Sequence, residues 1–255
     1  MKFENTEVFN FEGALRGMRN PLNSWDRSDS DYCLPTHCCV CKHEDECCGC
    51  EQISWTPYDI GENDMDLAQR LISAGTEHSK FLRQIFVSVD ITAPMYWWSE
   101  ADTYKVGTVA NSTSKMHKLA CTPITLDCFE TDDFDKDFEI EPYESEIDDE
   151  TEVCTVSFGY DAEMMADNII EDLERLRQRY NETKDKRYWK ELIRWLPESW
   201  LQTRTWTANY AVLRNMYFQR RNHKLSEWHT FCKWVESLPY AAELITYERG
   251  GPDVS

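Results

Sequence analysis

Between Asp127 and Glu152 the chain carries fourteen acids against a single base, Lys136. A stretch this charged cannot bury enough apolar surface to offset the entropy of ordering it. The core must therefore come from the sequence on either side, and residues 127–153 are expected to form a solvated acidic insertion. The bias extends to the whole chain: 47 acids against 27 bases in 255 residues, a formal net charge of −20. Against that background two windows lack Asp and Glu altogether. Residues 199–226 hold Arg204, Arg214, Arg220, Arg221 and Lys224, where the mean density of acids would place about five (28 × 47/255). Residues 103–126 hold Lys105, Lys115 and Lys118. A strongly acidic protein that keeps two local cationic regions has the means to hold an anion such as a phosphate. Chance segregation of charge on a solvated face would give the same pattern.

Composition bounds the rest. Ten Trp, twelve Tyr and eleven Phe supply a large core and leave aromatic faces for a planar ligand. The acidity argues against non-specific binding to nucleic acid or to a membrane surface. No apolar run approaches the roughly 18 residues of a membrane span. The opening residues MKFENTEVFN have neither the basic nor the apolar region of a signal peptide. A reducing, cytoplasmic setting is therefore expected for the eleven cysteines.

Periodicity places the elements. Ile85, Val87, Val89 and Ile91 alternate with Phe86, Ser88 and Asp90, the pattern of a half-buried strand that Pro94 ends. Leu67, Leu71 and Ile72 share a helix face, with Asn63 or Asp64 as cap and Gly75 as stop. Asp161 can cap a long helix that uses Met165, Ile169, Ile170, Leu173 and Leu176. Further helices are expected around Tyr188–Trp195, around Leu213, Met216 and Tyr217, and from a Ser226 cap with Trp228, Phe231, Cys232 and Val235 inward.

The second acid-free window also carries a resemblance. Leu196-Pro197, Trp206-Thr207-Ala208-Asn209, Asn215, Arg220 and Glu227-Trp228 resemble the C-terminal half of the flavin-dependent thymidylate synthases, with no gap from Pro197 to Arg220 and one extra residue before Trp228. Leu71-Ile72-Ser73-Ala74-Gly75 and the IFVSVDITAP strand are similar to the family's first half. Counting on from Pro94, Thr103–Lys115 falls where the family has R-H-R-x-x-S-x-N-E-x-S-x-R. There Lys105 stands for the last Arg of R-H-R, Thr108 for the Ser and Lys115 for the final Arg, while the first Arg and the His are gone.

This resemblance implies an α+β fold, a small antiparallel sheet packed with long helices, as a single domain over 1–255 with a Cys-rich insertion at 31–52 and the acidic one at 127–153. It implies a homotetramer that methylates C5 of deoxyuridylate with FAD, methylenetetrahydrofolate and NADPH. Arg220 then falls on the residue that grips the pyrimidine nucleotide; a guanidinium can hold a phosphate or stabilise charge on a carbonyl. Lys105, Thr108 and Ser112 would face the phosphate, with Asn111 nearby. Glu100 replaces a family Gln in the substrate site, and Tyr104 replaces the His and could stack on a ring. Asn209 and Asn215 would lie on the flavin side. Being six residues apart they share one groove only if Asn209 precedes the helix, where it could equally act as its cap. The altered R-H-R positions leave room for another pyrimidine nucleotide as substrate, or for nucleotide binding without catalysis.

One motif lies outside the resemblance. Cys38 and Cys41 make one C-x-x-C, and Cys47 and Cys50 a second. The two pairs suit tetrahedral ligation of structural zinc, with an iron–sulfur centre or unligated or disulfide-paired thiols as alternatives.

Overall fold

The computed structural model describes residues 1–32, 58–114, 119–141, 145–148, 153–156 and 159–248. Cys38, Cys41, Cys47, Cys50 and Lys115 lie outside the described residues. The strands are β1 Lys2–Phe9, β2 Asp31–Tyr32, β3 Tyr58–Asp59, β4 Phe86–Pro94, β5 Val109–Ser112, β6 Glu139–Glu141, β7 Ser145–Asp148, β8 Val153–Val156, β9 Tyr160–Asp161 and β10 Leu201–Asn209. The main sheet has four strands in the order β1-β4-β10-β5, and three two-stranded ladders pair β2 with β3, β6 with β9 and β7 with β8. The architecture is the expected α+β mixture. The described residues divide into two compact units, one of 1–92, 99–112 and 203–255, the other of 93–98 and 113–202.

The first unit is built on the sheet. The alternation read in the sequence is realised: Val87, Val89 and Ile91 are buried, Ser88 and Asp90 half-buried and Phe86 exposed. β1 runs antiparallel to β4 from Lys2↔Thr92 to Phe9↔Phe86, with a bulge between Glu4 and Glu7. Asn5, at φ +52° inside the bulge, donates from Nδ2 to Asp90 at 2.8 Å. β5 is antiparallel to β10, pairing Val109 with Thr207 and Ser112 with Arg204.

The helix Phe11–Arg19 turns Phe11, Ala14, Leu15 and Met18 inward at i, i+3, i+4, i+7 spacing. The helix Glu62–Ser73 starts differently from expectation. Its N-cap position is Gly61, and neither Asn63 nor Asp64 caps it. Asp29 does so from a distance, accepting the amides of Asn63 at 2.9 Å and Asp64 at 3.1 Å. This leaves the Asp64 side chain free to turn inward. Gly75, at φ +111°, follows the helix as its expected stop. The helices Tyr210–Arg220 and Ser226–Glu236 complete the unit, the second with Trp228, Phe231, Cys232 and Val235 buried as expected. Ser226 is the first helical residue rather than its cap, which falls on Leu225.

The second unit centres on the helix Ala162–Thr183. Asp161 caps it as expected, accepting the Met164 amide at 2.7 Å. A second helix, Lys186–Arg194, is capped by Asp185. Leu119, Ile124, Phe129, Leu173 and Leu192 form the core. Glu174 holds residues 119–124 in place: it accepts from Arg177 and from the Ile124 amide at 3.0 Å, while Arg177 and Asn181 donate to the Ala120 carbonyl at 3.2 and 2.8 Å. The Arg177 hydrogen bonds and the Ile124 amide hold the Glu174 carboxyl down at about 2, against the pull of burial. The acidic segment, expected as a solvated loop, contains β6 and β7, and β7 pairs with β8 at and beyond its end. Residues 131–141 are exposed throughout.

Candidate functional site

Four pieces of the first unit converge on Arg220: the end of the helix Met95–Ala101, the turn after it, the helix Tyr210–Arg220 and the start of the helix Ser226–Glu236. Arg220 is the last residue of its helix, where a cation opposes the helix dipole. Its Nη1 donates to Glu100 Oε2 at 2.7 Å and its Nε to the Tyr104 hydroxyl at 2.9 Å. The guanidinium carbon lies 4.7 Å from the Trp228 ring centroid and 5.6 Å from that of Tyr104. Trp228 Nε1 donates to the same Glu100 oxygen at 2.9 Å, and His223 Nε2 lies 3.5 Å from it. Tyr104 is oriented in turn by donating to Gln219 Oε1 at 2.8 Å, and Gln219 Nε2 donates to Asn215 Oδ1 at 2.9 Å.

This network decides what Arg220 can do. Glu100 neutralises it, and two of its three nitrogens are already engaged. Nη2 and Glu100 Oε1 have no partner among the described residues. The pair is partly open, with side-chain exposures of 20% for Arg220 and 33% for Glu100. The pair thus presents a donor beside an acceptor, with no net charge, between two aromatic rings. A phosphate dianion would meet the Glu100 carboxylate there. A neutral heterocycle carrying an acceptor next to a donor matches it, and the half-buried Tyr104 ring beside the pair suits a planar base. Of the two roles expected for Arg220, the geometry favours contact with a base edge over a grip on phosphate.

The residues expected to face phosphate are placed as follows. Lys105 is exposed on the turn. Thr108 donates its hydroxyl to the Tyr104 carbonyl at 2.5 Å, so that proton is committed. Asn111 and Ser112 stand on the exposed edge strand β5, opposite Thr205 and Arg204, and not in a loop. Arg204, buried on β10, is held by Asp102 at 2.8 and 3.1 Å.

Asn209 and Asn215 meet the condition the helix geometry sets. Asn209 precedes the helix Tyr210–Arg220 and caps it, accepting the Val212 amide at 3.0 Å. It still lines the same cleft as Asn215. That cleft, of about 730 Å³, is bounded by Gly75, Arg83, Gly107, Asn209, Arg214 and Asn215, and none of its lining residues is acidic. Gly107 sits at φ +83°, and a Cβ there would come within 2.8 Å of Asn209 Nδ2. Burial lowers the Arg214 guanidinium below its ordinary value, and its Nη1 donates to the Ile245 carbonyl at 2.5 Å. A larger cleft of about 1240 Å³ lies between the helices Phe11–Arg19 and Glu62–Ser73, but Asp26, Asp66 and Glu77 line it beside its cations. For an anionic ligand the smaller, acid-free cleft is the better candidate.

Trp228, His223 and Gln219 were not singled out by sequence reasoning as site residues. Trp228 reads as a core aromatic at helical spacing, and it is fully buried. Its indole N–H gives it the second role. No spacing signal ties it to Glu100, 128 positions away.

No family model matches the sequence, and no curated protein does. Among solved structures, two of the flavin-dependent thymidylate synthase ThyX from Helicobacter pylori, both with FAD and dUMP, share the fold at a TM-score of 0.60. Identity is 18% in one case, covering 96% of this chain and 98% of the other, and 16% in the second, covering 96% and 97%. The architecture is therefore that of the ThyX fold.

Proposed function

We propose that this chain is a flavin-dependent enzyme of pyrimidine nucleotide metabolism, which methylates C5 of deoxyuridylate using methylenetetrahydrofolate and NADPH. The observation that carries the reading is the Glu100–Arg220 pair between Tyr104 and Trp228, a neutral donor–acceptor edge shaped for a base. The H. pylori enzymes of the same fold are described with FAD and dUMP. Here Arg220 and Glu100 would take the base edge, and Lys105 the phosphate as a point charge. The same reading makes the protein a cytoplasmic homotetramer.

The acid-free cleft fits an anionic, planar cofactor. Its volume is that of a typical ligand site. Arg83 is exposed at its wall, and Gly107 lets the backbone approach closely where a side chain would not. Asn209, Asn215 and Arg83 would hold FAD. When bound, FAD supplies the redox capacity that a reductive methylation needs. The chain's own residues bind and orient: Gln219 links Asn215 to Tyr104, so the cleft and the base-binding pair are joined by one hydrogen-bonded chain.

A second reading keeps the fold and changes the base or abandons turnover. It is favoured by Glu100, a carboxylate where the resemblance has an amide, and by Tyr104 in the place of the His. The test is the absorbance spectrum of the purified protein, followed by titration with deoxyuridylate. About one flavin per chain, with a spectral response to deoxyuridylate, is expected. A protein that neither carries nor takes up FAD but binds another pyrimidine nucleotide would establish the second reading.

A further inference from the structure

The second unit leaves an apolar surface uncovered. The helix Ala162–Thr183 buries only Ala162 and Leu173 fully. Met165 and Ile169 on the same helix remain 39% and 37% exposed, Phe134 37%, Leu126 43% and Trp195 67%. These residues are contiguous. A hollow of about 620 Å³ beside Trp195 and one of about 220 Å³ beside Leu126 and Phe134 share Ile169 and Pro197 as their common wall. Together they form a groove along the helix from Met165 to Leu176, about 16 Å at about 1.5 Å per residue. An uncovered apolar groove of this kind marks a docking surface.

The charges around it say what docks. Asp127, Glu130, Asp132 and Asp133 are interleaved with the lining residues Leu126, Phe129, Thr131 and Phe134, and no base falls among them. At the other end Arg175 is shared between Glu171 and Asp172, and Arg179 is paired with Glu182. The net field is negative, and strongest beside Phe134. A two-fold contact centred beside Phe134, where the acids are densest, would set them against their own copies. Anionic lipid would be repelled by the same acids.

We infer that this groove docks an amphipathic helix of another protein, with apolar anchors at i, i+3, i+4 and i+7 and with Lys or Arg on its flanks. The basic flank lies towards Phe134. Docking here does not need the nucleotide reading, but it requires that the homotetramer of that reading leave this face uncovered.

The probe is a synthetic peptide of about 18 residues, with Leu at those spacings and Lys elsewhere. Its binding to the full chain is followed by fluorescence anisotropy at physiological salt, against a peptide of the same composition in scrambled order. The ordered peptide is expected to bind at least about tenfold more tightly than the scrambled one. Ile169→Lys should weaken it by a similar factor. Trp195→Ala, at a position too exposed to threaten the fold, should weaken it in the same direction. Equal binding of the two peptides, or binding unchanged in a folded Trp195→Ala chain, would overturn the inference. So would light scattering that shows self-association of the chain, abolished by the same substitution, since the occupant would then be a second copy.

Discussion

Two Arg–carboxylate pairs in the first unit use the same chemical groups for different ends. Arg19 and Asp64 have side-chain exposures of 5% and 0%. Asp64 accepts from Arg19 Nε at 2.5 Å on one oxygen and from the Ser28 and Ser30 hydroxyls at 2.6 Å on the other. Arg19 also donates to the Ser24 carbonyl at 3.3 Å. Both carboxylate oxygens are occupied, and the pair ties the segment 19–30 to the helix Glu62–Ser73. Glu100 and Arg220 are no farther apart than many structural pairs, yet one Glu100 oxygen has no partner among the described residues and the site stays partly open. Unused hydrogen-bonding capacity at an open pair, rather than pairing itself, separates the proposed binding centre from the brace.

The sharpest way to break this comparison is Asp64→Ala. It leaves a buried guanidinium without its partner and should cost about 3–5 kcal/mol of stability, read from denaturant or thermal melts. A loss below about 1 kcal/mol would mean that Arg19 finds water, and that the brace is no more closed than the site. The same pair has an acid signature. Burial opposes ionisation of Asp64, but the Ser28, Ser30 and Arg19 hydrogen bonds outweigh it and bring the carboxyl below its ordinary value. A folded-state value below the unfolded one stabilises at pH above about 4 and is lost as pH falls. The stability gap between wild type and Asp64→Asn should therefore shrink on acidification from pH 6 to pH 3. A constant gap would assign the loss to packing and not to charge.

Arg220→Ala is the counterpart at the open pair. Its effect on stability should stay within about 1 kcal/mol, because the pair is partly solvated. Affinity for deoxyuridylate should fall by about 10- to 100-fold, the worth of a charge-assisted hydrogen bond to the ligand. Calorimetric titration reads the second number and a melt the first. A large stability loss with unchanged affinity would turn Arg220 into a second brace.

The sequence foretells the parts of this molecule whose cause is local. The helix at 162–183 is written in the spacing of Met165, Ile169, Leu173 and Leu176 and in the Asp161 cap; β4 is written in its alternation. β10 is harder to see because Gln202 and Arg204 occupy inward positions where they bond to Thr113 and Asp102, about a hundred residues earlier. The cap of the helix Glu62–Ser73 is Asp29, too distant for any capping pattern to show. The site divides in the same way. Arg220 and Glu100 are each identifiable, one by its acid-free window and both by resemblance, but they are 120 positions apart. Only the fold shows that one neutralises the other, which is why the proposed role of Arg220 is contact with a base edge rather than a phosphate grip.

Glu100→Gln sharpens the comparison with the smallest effect. An amide oxygen still accepts from Trp228, so the stability change should lie within about 0.5 kcal/mol. The charge is what changes. Arg220 then presents an uncompensated positive charge, and its affinity for inorganic phosphate should rise a few-fold, on the order of 1 kcal/mol or less at a partly exposed site. That gain should fade as salt is raised, since exposed charges are screened. Deoxyuridylate binding should move with the base: a ligand that donates to Glu100 loses strength, while one that only accepts from Arg220 keeps it. If Glu100→Gln leaves both phosphate and nucleotide affinity unaltered, Glu100 acts as a brace like Asp64, and the difference between the two pairs reduces to exposure.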